Sequence, residues 1–149
     1  MNSTTRITLT LASIVVVGAA RPPQAVSYPQ FQKQFLTKYI DGHDNKEFVG
    51  LVKTKVKCFV CHDAKKDAEG KTSKKNRNAY GQELSKLLNK NDKKNVKKIQ
   101  EALDKVATVN SDPKNPASPS YGELIAQGKL PAGAPDELPS DEPEDEPDQ

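Results

Sequence analysis

An all-α domain over residues 21–135, set between two ends that cannot form core, is the fold class this chain of 149 residues predicts. Three observations carry that expectation. Apolar residues recur at spacings of three and four through most of the middle of the chain. Residues with N-capping side chains stand just before several of those runs. Proline and acidic residues gather at the C-terminal end, where no apolar periodicity survives.

Residues 1–20 read as a secretory signal: Arg6, an apolar run from Ile7 to Val17, then the small residues Gly18, Ala19 and Ala20. Cleavage is expected after Ala20 or after Ala25, with retention as an uncleaved anchor the alternative. The run falls short of the roughly 20 apolar residues that a spanning helix needs, so no stable membrane span is expected once the signal is removed. In the domain itself, Ser27 with Gln30 matches a capping box and Pro29 suits a first helical turn, which predicts a helix over 29–40 with Phe31, Phe35, Leu36 and Tyr39 on one face. Asn45 can cap a second helix carrying Phe48, Val52, Val56 and Phe59. Val52, Thr54, Val56 and Cys58 also alternate as a strand would, so periodicity leaves both states open there. A lysine-rich loop follows. Tyr80, Leu84, Leu87 and Leu88 define a third helix, and Asp92 is the expected cap of a fourth with Val96, Ile99, Leu103 and Val106. Three prolines make 110–120 a loop. Tyr121 to Gln127 gives one or two turns ended by Gly128, and 136–149, with eight acidic and no basic residues and a proline every fourth position, reads as a disordered tail.

The composition bounds what such a domain can do. Only 34% of residues are hydrophobic and 5% aromatic, with no Trp, so the core is small. Two cysteines are too few for a disulfide scaffold, which turns attention to chemistry or metal binding. They stand in Cys58-Phe59-Val60-Cys61-His62, the Cys-x-x-Cys-His attachment signature of a c-type haem. On a helical turn, residues three apart share a face, so both thiols reach the two vinyl groups along one porphyrin edge. His62, next to that anchor, is placed to be the proximal iron ligand. Random placement of two cysteines and two histidines gives this pattern in about 2 sequences in 10,000. Two other uses of the residues stay open at this point: a Cys58–Cys61 redox pair, which leaves His62 without a role, and a zinc site from Cys58, Cys61, His62 and His43, which requires adjacent residues on one metal.

With this motif the chain resembles small exported single-haem c-type cytochromes. The resemblance rests on Lys57 to His62, on Phe31 and Phe35 in a preceding helix, on Asn76-Arg77-Asn78-Ala79-Tyr80-Gly81 with Leu84, and on Gly128-Lys129-Leu130-Pro131. It covers residues 28–131. It implies a cytochrome c-like helical fold around one covalent haem c with its iron, a one-electron carrier and not an enzyme, monomeric, and periplasmic or otherwise exported, with Cys58, Cys61 and His62 holding the cofactor. In such a fold Phe48, Phe59, Tyr80, Leu84 and Leu87 or their neighbours would bury the ring and supply the contact area that the sparse core lacks.

The chain also resembles, more broadly, the mitochondrial-type class of c-type cytochromes, which complete iron coordination with a Met in a loop after the motif, and it departs from that class in one respect. Met1 is its only methionine, so no thioether downstream of the motif can complete the iron coordination. His43, the one other histidine, is a candidate sixth ligand; Lys, Tyr, water or an open position are the alternatives. An open position would allow gas sensing or peroxidatic activity instead of electron carriage. Charge points to the partner. Residues 21–135 hold 22 basic and 12 acidic residues, a net of +10 beside a tail of −8. From Lys53 to Arg77 there are nine basic and three acidic residues. Such a field suits redox partners with an acidic docking surface, and the tail can compete for it. Nucleic acid is not an expected partner, because the chain carries an export signal and its basic residues lack interleaved aromatics.

Overall fold

A computed structural model describes residues 28–64, 74 and 76–133. The expected signal segment 1–20, the expected disordered tail 136–149, Ser27 and most of the lysine-rich loop lie outside the described residues. Within them the chain is all-helical, with five α-helices and no strand, and none of these helices is long and apolar enough to cross a membrane.

Helix α1 spans Pro29–Phe35 and runs without a break into a wider π-helical turn, Leu36–Ile40. Pro29 occupies the first turn, where its missing N–H costs nothing. Tyr28, the N-cap, offers no side-chain acceptor. Helix α2, Lys46–Leu51, starts where Asn45 accepts the Phe48 N–H at 3.0 Å, and it too continues as a π turn, Val52–Val56. Phe48, Val52 and Val56 fall on one buried face, so the helical period prevails over the strand-like alternation of the same residues. The path breaks at Lys57, whose φ of 46° and ψ of −114° redirect the chain into a short 3-10 turn, Lys57–Val60. That turn carries the cysteines.

Helix α3, Ala79–Leu87, is capped by Asn78. A 3-10 turn, Lys90–Lys94, separates it from α4, Val96–Ala107. The cap of this fourth α-helix is Asn95, which accepts the Lys98 N–H at 3.0 Å, and not Asp92. Asp92 instead closes a capping box with Asn89 and takes the Lys98 ammonium at 2.8 Å, because the inserted turn places it one element too early. Helix α5, Tyr121–Ala126, opens on a Ser120–Glu123 capping box and ends at Gly128, which has a φ of 70° that glycine adopts freely.

Helix α4 is the central strut, packing on α1, α3 and α5. Ile99, Ala102, Leu103 and Val106 are buried on it, whereas Val96, expected on the same face, is 52% exposed in the first turn. Across α4, Tyr39 donates to the Leu103 carbonyl at 2.9 Å and Lys38 pairs with Asp104 at 2.8 Å. The Tyr80 ring lies edge-on between Phe35 and Tyr121, with centroids 5.9 and 5.2 Å away, and joins α1, α3 and α5 in one core.

Candidate functional site

The 3-10 turn brings Cys58 and Cys61 to one side of the chain. The Cys61 and His62 N–H groups both donate to the Cys58 carbonyl, at 3.2 and 3.1 Å, closing the turn on itself. Both cysteines are free thiols. Cys58 Sγ lies 3.6 Å from Gln32 Oε1 on α1. Burial pushes the Cys61 thiol up to about 12; the neighbouring Cys58 adds to the rise and Arg77 opposes it. Cys61 is thus held as the neutral thiol.

His62 is 6% exposed. Its Nδ1 donates to the Asn76 carbonyl at 3.1 Å, which fixes the proton on Nδ1 and leaves the Nε2 lone pair available. Burial holds its pKa below the usual histidine value; the Asn76 bond works against that and the Arg77 charge works with it. A neutral imidazole tied through one nitrogen to a backbone carbonyl is the arrangement that metal-ligating histidines use.

Segment 76–81 backs this turn. The Asp63 N–H donates to the Asn76 carbonyl at 3.0 Å, the Asn78 N–H donates to the Cys61 carbonyl at 3.2 Å, and His62 and Arg77 form an isolated β-bridge. Gly81 sits so close that a Cβ there would overlap the Cys61 carbonyl oxygen, so only glycine lets α3 dock on the motif. This is the physical content of the Tyr80-Gly81 pair.

In front of the turn opens a cavity of about 690 Å³, within the range of roughly 300 to 1,000 Å³ for small-molecule sites. Cys58, Cys61 and His62 all line it. Its apolar wall comes from Phe31 and Phe35 of α1, Val60, Leu84 and Leu88. Lys57, Arg77 and Lys90 supply cations, and among the described residues no acidic one lines it. Of the five residues expected to bury a ring, only Leu84 faces this cavity. Phe48 and Tyr80, 3% and 0% exposed, are core, and Phe59 and Leu87 pack against the core from elsewhere. The fit to a planar apolar macrocycle with acidic substituents is good: two thiols, one imidazole lone pair, an apolar wall and a cationic rim.

His43 is not brought to this cavity. It lies in the turn before α2, beside a second cavity of about 570 Å³ lined by Tyr39, Asn45 and Ile125. Both its ring nitrogens are engaged: Nδ1 accepts from the Asn45 N–H at 3.1 Å, and Nε2 donates to the Ile125 carbonyl at 2.9 Å. The ring works as a latch between that turn and α5. The four-ligand set Cys58, Cys61, His62 and His43 is therefore not assembled, and among the described residues no three acidic, histidine or cysteine side chains gather around a cation position. Sequence reasoning missed Gln32 and Lys90 as cavity residues, since the three-dimensional approach of α1 and the 90–94 turn leaves no local mark.

Comparison with known proteins returns no match: no family model, no curated protein and no solved structure matches the chain.

Proposed function

We propose that this chain is an exported single-haem c-type cytochrome that carries one electron at a time and acts on no substrate of its own. The observation that carries the reading is the convergence of Cys58, Cys61 and a pre-oriented His62 on one apolar cavity of about 690 Å³. Cys58 and Cys61 would hold the porphyrin covalently, each thiol being suited to add its S and H across one vinyl C=C with no leaving group, and His62 would offer Nε2 to the iron while its Nδ1–H stays on the Asn76 carbonyl. Bound there, haem supplies a reversible one-electron centre. Phe31, Phe35, Leu84 and Leu88 exclude water, and Lys57, Arg77 and Lys90 can receive the porphyrin carboxylates and favour the reduced state by their charge. The chain acts as a monomer in the periplasm or another exported compartment and meets partners with an acidic docking surface.

A second reading is favoured by where His43 lies. With His43 latched to α5 and Met1 the only methionine, a haem held in this cavity would take its further ligand from a lining side chain such as Tyr28, Lys57 or Lys90, from water, or from nothing. An open position suits a gas ligand or a peroxide. One experiment separates the readings. Produced in a host competent in haem attachment, the protein should keep a haem-stained band on denaturing electrophoresis. Split ferrous bands unmoved by carbon monoxide then indicate the carrier, and a high-spin spectrum shifted by carbon monoxide indicates the open site. Recovery of two titratable thiols and no Soret band would overturn both.

A further inference from the structure

Asn78 does more than cap α3. Its Oδ1 accepts the Gly81 N–H at 2.9 Å, as a helix cap requires. Its Nδ2 turns the other way and donates to the carbonyls of Phe59 at 3.1 Å, Val60 at 3.0 Å and His62 at 3.3 Å. Two N–H bonds are thus shared among three acceptors that all belong to the Cys58–His62 turn. The Asn78 backbone N–H takes a fourth carbonyl, that of Cys61. The other α-helical caps formed by asparagine do nothing comparable: Asn45 and Asn95 serve their own helices. A turn this short cannot satisfy these carbonyls internally, and a partly buried carbonyl without a donor is costly.

We propose that Asn78 is a positioning residue for cofactor attachment: by gathering four consecutive carbonyls of the Cys58–His62 turn on one side, its side chain and backbone present both thiols and the His62 ring to the cavity before any ligand arrives. The assignment rests on the haem reading for its purpose, though not for its geometry. No feature of local sequence demands asparagine here, because aspartate and serine cap helices equally well. Only the amide combines the cap acceptor with donors long enough to reach the turn.

The cap function gives the test its control. Asn78→Asp and Asn78→Ser keep a cap acceptor and lose the donors; Asn95→Asp and Asn95→Ser make the same exchange at α4, where no donor is lost to the motif. Full-length proteins are produced in a haem-attaching host, and the fraction of chains bearing covalent haem is measured. Both Asn78 variants should fall several-fold below wild type, while both Asn95 variants should match it. In parallel, the haem-free chains are treated with iodoacetamide without denaturant, and global stability is read by urea titration. Cys58 and Cys61 should be alkylated about tenfold faster in Asn78→Ser than in Asn95→Ser, the factor expected for losing a buried donor, in urea-free buffer where both variants remain folded by their titrations. Asn78→Ser avoids placing a carboxylate against carbonyls, so it covers the case in which Asn78→Asp does not fold. Asn78 variants that behave like their Asn95 counterparts in both measurements overturn the proposal. If wild type itself takes up no haem, the haem reading fails, and the alkylation ratio still decides whether Asn78 holds the turn.

Discussion

Two residues beside the motif sit in conformations that cost the fold. Lys57 has φ 46° and ψ −114°, the mirror of an ordinary extended turn geometry and the one glycine takes at the second position of a type II′ turn. Lys57→Gly should therefore raise the stability of the haem-free chain by about 1 kcal/mol, read as a higher urea midpoint with unchanged slope. A lower midpoint would mean that the lysine side chain gives back more than its backbone costs. Tyr80 presents a different cost: it is fully buried, and its hydroxyl has no hydrogen-bond partner among the described residues. Burial drives its pKa well above the usual tyrosine value, so it stays neutral. Tyr80→Phe removes the lone hydroxyl and keeps the ring between Phe35 and Tyr121; the haem-free chain should gain about 1 kcal/mol in the same titration. Destabilisation of that size would instead reveal a buried water at the hydroxyl.

At the scale of elements, the 3-10 turn Lys90–Lys94 matters because it brings Lys90 and Asn91 to the cavity. Asp92 holds it: Oδ1 takes the Lys98 ammonium, Oδ2 takes the Asn89 N–H at 2.9 Å, and these bonds, Lys98 first, keep the Asp92 carboxyl below the usual aspartate value. A carboxyl with a folded pKa lowered this way stabilises the fold above its unfolded pKa and loses that contribution as pH falls through the folded one. Asp92→Asn should therefore lower the urea midpoint at neutral pH, and the gap from wild type should close once the pH drops below the lowered value. A gap that persists in acid would assign the effect to packing and not to charge. Glu123 obeys the same sign, held down by the Ser120 N–H and hydroxyl at the start of α5.

The whole molecule is organised by charge as much as by its modest core. Residues 21–135 carry a net +10 and the tail 136–149 carries −8. Lys90, Lys93, Lys94 and Lys97 are all exposed around the 90–94 turn, so the cavity mouth lies in a positive field. Exposed charges are screened beyond roughly 8 Å at physiological ionic strength, so on the proposed carrier function electron exchange with an acidic partner should slow as salt rises. Deleting 136–149 should speed the exchange at low salt and steepen its salt dependence, measured by stopped-flow reduction. Equal rates for the full and shortened chains would show that the tail leaves the basic face open.

Much of the fold and of the site is legible in the sequence because it is local. The helical period of Phe48, Val52 and Val56, the cap at Asn45, and the Cys58–His62 spacing are each set by interactions within a few residues of chain, and the structure keeps them. What depends on distant segments meeting was decided only by tertiary packing. The periodicity that marks Phe48, Tyr80 and Leu84 as one apolar class cannot say which face becomes core and which lines the cavity, because that depends on how α1 and α4 approach α3. Nor does a histidine in a polar turn reveal its partner: His43 ends on the Ile125 carbonyl, 82 residues away in sequence, and not in front of Cys58. Asn78 shows both halves in one side chain. Its oxygen serves the helix that follows it, which sequence alone determines; its nitrogen serves a turn 16 to 19 residues earlier, which only the folded chain brings within reach.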